Sequence, residues 1–130
     1  MNEVSATFSI WSEKLEPQRI TEILCFQPDN TAIKGADRDP PRPRPPAHGW
    51  HVGCREKDKE LAGEVMSHLL ERISPVLAKL PELRKSDPKI SISFSLDISP
   101  KTTNVSLFFD RRTIETISSV EGDLDIEFFD

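Results

Sequence analysis

Ile90-Ser91-Ile92-Ser93-Phe94-Ser95-Leu96-Asp97-Ile98 is the stretch whose reading decides the fold class. Apolar residues fall at every second position, with serines and one aspartate between them. A period of two puts Ile90, Ile92, Phe94, Leu96 and Ile98 on one face of a strand and the polar residues on the other. One face to bury and one to leave open is the pattern of an antiparallel sheet covered on a single side.

The same rule extends outward along the chain. Val4, Ala6, Phe8 and Ile10 alternate with Ser5, Thr7, Ser9 and Trp11; Trp50, Val52 and Cys54 alternate with His51 and Gly53. Leu124, Ile126 and Phe128 alternate with Asp125, Glu127 and Phe129 as a last strand. A turn through Ser99 to Thr103 leading to Val105, Leu107 and Phe109 predicts a β-hairpin. Helical spacing appears between these runs. Glu16-Pro17 opens a short helix carrying Ile20, Ile23 and Leu24, with Cys25 at the end of its stripe. Asp58 is placed to cap a longer helix in which Leu61, Val65, Leu69, Ile73 and Leu77 recur every four residues. Ser74-Pro75 starts a second helical segment or a kink, and Pro81 and Pro88 bracket the exit. Ile114, Ile117 and Val120 share one side of a last short helix that Gly122 ends. The expected architecture is one α+β domain over residues 1–130, a two-layer sandwich. A mostly antiparallel sheet of about five strands carries helices on one face, ferredoxin-like in spirit.

Composition narrows the function classes. At 130 residues the chain can bury a sizeable core without disulfides or metal. Its two cysteines, Cys25 and Cys54, sit at apolar positions and read as buried free thiols. No apolar run approaches a membrane span and no secretory leader is visible, so a cytoplasmic protein without membrane contact is expected. A net charge of −5 argues against nucleic acid as a partner. From Thr113 to the end there are six acids and no lysine or arginine.

Catalytic patterns are missing. His48, His51 and Cys54 are three residues apart, which on a strand places neighbouring ligands on opposite faces, and no fourth zinc ligand lies close by. No Gly-x-Ser-x-Gly elbow and no phosphate-cradling glycine loop occurs. No cofactor, no metal and no catalytic residue are expected; a metal-dependent enzyme is the remote alternative, resting on that histidine-cysteine cluster alone.

The open faces of the strands carry more of interest. Ser5, Thr7, Ser9, Ser91, Ser93, Ser95, Asp97, Ser106, Asp125 and Glu127 make a flat hydroxyl-rich surface, with Trp11, Phe108 and Phe129 among them. That composition suits docking against another protein as well as plain solvation. A loop over about residues 36–49 is rich in proline and arginine, with overlapping Pro-x-x-Pro units at Pro40–Pro43 and Pro43–Pro46 beside Arg42 and Arg44. Trp11, Phe108, Asp123, Asp125, Glu127, Phe129, Arg42 and Arg44 are therefore the candidate partner-binding residues.

The N-terminal strand, Ile20-Thr21-Glu22-Ile23-Leu24, Gln27-Pro28-Asp29, Lys34-Gly35 and Trp50 together resemble a bacterial family known as domain of unknown function 4279. The resemblance covers nearly the whole chain. It implies structural roles for Pro28, Lys34, Gly35 and Trp50, with Gly35 in a turn of positive φ and Trp50 anchoring the long loop. Asp29 stands where a threonine is expected, and the proline-arginine insert is particular to this chain. Small bacterial proteins of this style resemble immunity proteins encoded beside toxins. The expected function is thus a non-catalytic protein-binding module, most concretely an immunity protein occluding a cognate toxin. The alternative is a homodimer formed through the open sheet face.

Overall fold

The computed structural model describes residues 2–37, 42–58, 60–100 and 105–130. Among these residues five strands form one sheet: β1 (Glu3–Ser12), β2 (Asn30–Ala32), β3 (His48–Lys57), β4 (Ser91–Ser99) and β5 (Asp123–Phe128). Their order is β2-β3-β1-β4-β5, antiparallel throughout except for the parallel β4–β5 pair. Four helices among the described residues, α1 (Pro17–Leu24), α2 (Ala62–Arg72), α3 (Ser74–Ser86) and α4 (Arg111–Ser119), make the architecture α+β. No helix among the described residues is long and apolar enough to cross a membrane.

β1 lies in the middle and pairs along most of its length with β3 on one side and β4 on the other. Val4, Ala6, Phe8 and Ile10 are fully buried beneath the helices, as the alternation requires. Phe8 touches both neighbouring strands through its ring, 6.3 Å from Trp50 and 5.2 Å from Phe94 between centroids. α2 lies across β1, β3 and β4, and α1 packs beside β3 and α3. Trp50, wholly buried, donates its indole N–H to the Thr21 hydroxyl at 3.0 Å and so ties β3 to α1.

Helix boundaries follow local chemistry. α2 stops at Ile73 because Pro75, in the first turn of α3, has no amide to offer the preceding turn. α3 then runs through Pro81, beyond the expected exit. Pro81 lies on the exposed side of the helix, while buried Leu80 and Leu83 hold the helix on either side. α4 buries Thr113, Ile117 and Val120, turning Ile114 outward with 56% of its surface exposed. That is the i, i+4, i+7 stripe rather than the one begun at Ile114. Cys25 is also outside the core: it caps α1 in the left-handed region (φ 52°) and is exposed, while Cys54 is half-buried.

Two connections differ from expectation. The loop between α1 and β3 contains the short strand β2, and β3 begins at His48 rather than Trp50. Asp29 clamps the start of this excursion: its carboxylate accepts from both Arg72 guanidinium nitrogens (2.8 and 3.0 Å) and from the Gly53 amide (2.8 Å). The Pro40–Pro43 unit and Asp39 fall partly outside the described residues, as does most of the Ser99–Thr103 turn.

The hairpin through Val105, Leu107 and Phe109 does not form, because β1 and β5 already occupy both edges of β4. The segment crosses instead to the start of α2. Ser106 donates to Glu60 O and accepts from the Ala62 amide, giving that helix a backbone cap in place of a side chain. Asp58, at φ 58°, is outside the helix. Gly63 permits the approach, since a Cβ there would collide with the Phe108 carbonyl.

Phe8→Ala should cost about 3–5 kcal/mol, the scale for deleting a fully buried aromatic ring. Urea unfolding followed by circular dichroism measures it, and a loss below about 1 kcal/mol would contradict the central position of this ring.

Candidate functional site

The open face of the sheet is organised in rows by strand register. One row across β3, β1, β4 and β5 reads His51, Ser9, Ser93, Asp123; the next reads Gly53, Thr7, Ser95, Asp125; the third reads Arg55, Ser5, Asp97, Glu127. Cationic and imidazole groups therefore lie on the β3 side, hydroxyls in the middle and carboxylates on the β5 side. Arg55 is engaged by Glu3 at 3.1 Å. No ion pair reaches Asp97, Asp123, Asp125 or Glu127 among the described residues.

These acids feel one another. Partial burial, and then the charge of Asp125, raise the Asp97 carboxyl above its ordinary value. The face thus holds a destabilising negative charge that a cationic group laid over it would relieve.

β5 is one of the two edge strands, and its helical face is only partly covered. Asp123, Asp125 and Glu127 point to the open side. Leu124, Ile126 and Phe128 turn to the helical side, yet Leu124 and Phe128 remain 39% and 46% exposed, because α4 covers only part of the strand. Phe129 follows the open-face alternation and is 46% exposed.

At the opposite end of the face Trp11 meets His51 edge-on, with ring centroids 4.9 Å apart. Both lie over Gly49, where a Cβ would stand 2.7 Å from His51 Nε2 and 2.8 Å from Trp11 Cζ3. His51 Nδ1 is hydrogen-bonded with Ser9 Oγ at 2.8 Å, and burial lowers its pKa. A shallow hollow of about 350 Å³ opens beside this pair, and Arg42, Asp37, Ile33 and Pro45 line its rim.

Several sequence candidates converge, and others stand apart. Trp11 and Arg42 share the hollow. Asp123, Asp125, Glu127 and Phe129 share β5 and its continuation. Arg44 pairs with Asp37 at 2.8 Å. Phe108, 71% exposed, is not on the sheet: with Ser106 it belongs to the segment over α2, where it edges a groove with Leu61, His68 and Glu71. Among the motif residues, Gly35 has φ +73° and donates to Pro45 O at 2.9 Å, and the Lys34 amide donates to His48 Nδ1 at 3.1 Å. Pro28 is half-buried between α1 and β2, and Trp50 is core. His48 and Cys54 face the helical side and His51 the open side. No group of three His, Cys, Asp or Glu side chains among the described residues is placed to hold a metal ion. Asp97, which its alternation places on the open face with the β5 acids, belongs with the partner-binding candidates although the sequence did not put it among them, and the half exposure of Leu124 and Phe128 has no signal in their alternation.

The chain matches the family described as Domain of unknown function (DUF4279) over residues 2–129, and it belongs to that family. No curated protein and no solved structure matches it.

Asp97 binds its proton more tightly in the folded chain than at the ordinary 3.8 of an exposed aspartate. Its contribution is therefore fully present below that value and is lost as pH rises through the raised folded one. Asp97→Asn should stabilise the protein at neutral pH by about 0.5 kcal/mol, given solvent screening, with no gain at the acid end. Urea midpoints measured across pH test this; a neutral-pH loss would contradict it.

Proposed function

We propose that this member of the DUF4279 family is a non-catalytic protein-binding domain that docks a basic partner, most concretely an immunity protein that occludes a cognate toxin. The observation that supports the reading best is the row of carboxylates on β5 and Asp97, which stand without a cationic partner among the described residues while the adjoining Leu124, Phe128 and Phe129 are half exposed. A protein that wastes stability on mutual repulsion at a surface recovers it when an opposite charge covers that surface. Negative charge also speeds encounter with a basic partner, and aromatic rings supply contact area at small entropic cost.

The titratable groups fit this reading better than catalysis. His68 Nδ1 lies 2.8 Å from Glu56 on the exposed side of α2, and Asp110 is held ionised by the Thr113 amide it caps. Each is engaged in local structure, Asp110 with both the amide and the hydroxyl of Thr113. A homodimer through the open face would bring the acid rows of two copies into one interface, which like-charge repulsion opposes.

Co-expression with the product of the adjacent gene tests the proposal. The expected result is a stable complex that relieves that product's toxicity and is weakened about tenfold by reversing Asp125 and Glu127 to lysine. A non-toxic neighbour that forms no complex would overturn it.

A further inference from the structure

We propose that β5 receives an extended segment of its partner as a sixth strand, and that the segment alternates lysine or arginine with apolar residues. The inference rests on the acidic-docking reading above and gives it a geometry. Among the described residues β5 is bonded on one side only. The Phe129 amide donates to Ile98 O at 2.8 Å, so the odd-numbered residues turn their backbone groups to β4. By strand alternation Leu124, Ile126 and Phe128 direct theirs outward, each with one donor and one acceptor. No hydrogen bond from another described segment meets them.

The side chains state what such a strand must carry. On the open face it would lie beside Asp123, Asp125 and Glu127, about 5 Å away across the new pair. Cations are favoured there and acids repelled. On the helical face it would lie against Leu124 and Phe128, which α4 leaves half uncovered, and apolar residues would complete that cover. Main-chain bonds supply affinity and alternate side chains supply specificity, as in strand-addition recognition generally.

Charge also excludes the commonest occupant of a free edge. A second copy pairing through β5 would set its acids against their equivalents on the same face, so the edge rejects its own kind. The same charges that block aggregation select a basic strand.

The probe is a capped peptide of alternating lysine and valine, about ten residues long to span the edge. Its control has equal composition with lysines and valines in two blocks. The alternating peptide should bind at least about tenfold tighter, and its binding should protect the Leu124, Ile126 and Phe128 amides from hydrogen exchange. N-methylating alternate residues of one parity should abolish binding, whereas methylating the other parity should leave it within about twofold. Equal binding by the two peptides, or indifference to N-methylation at both parities, would overturn strand addition while leaving acidic docking intact. Failure of both peptides to bind overturns strand addition as well, and the co-expression result then decides the docking reading separately. A dimer of the unliganded protein that protects the same amides would also overturn it.

Discussion

The burial of one face of β1 is the constraint on which the rest of the structure depends. This strand is flanked on both sides, so its backbone is fully committed and its apolar residues must be roofed by helices. Phe8 fixes the register of three strands at once, through its contacts with Trp50 and Phe94. A slip of one residue would carry Phe8 to the open face and expose the whole apolar set. Trp50 passes the constraint on by anchoring α1 through Thr21, and α2 spans the three central strands.

Fixing the buried face also fixes the other. Because the register is set by packing beneath, the residues above fall into rows that no local preference chose. Those rows sort charge from β3 to β5, and the carboxylate end accumulates on the strand with the least cover. Stability and recognition are in tension there. The same edge that the acids keep from aggregating is one whose repulsion and half-covered phenylalanines favour a complementary partner. The Trp11–His51 pair marks the opposite end, where the absence of a side chain at Gly49 lets two rings lie close to the sheet.

Period-two alternation made β1, β3, β4 and the residues of β5 legible, because the burial of one face leaves a direct imprint on residue type. Pro17 and the Ser74-Pro75 break were legible for a similarly local reason, the missing proline amide. The segment around Val105, Leu107 and Phe109 carried the same alternation and took another role. Its backbone caps α2, a demand set by a helix over forty positions earlier in the chain. Cys25 failed in the same way: its apolar position said helix, while the end of α1 required a left-handed cap.

By itself the sequence determined the buried faces of β1, β3 and β4, the α+β class and the acidic character of the C-terminal region, since each depends on residue type and near-neighbour spacing. Only the tertiary structure decided that β5 runs parallel to β4 at the sheet's edge, that Asp97 joins the β5 acids, and that Arg42 reaches the hollow beside Trp11. Those facts depend on which strands become neighbours. That choice is made by the packing of distant apolar faces, and it leaves no mark on any single stretch of chain.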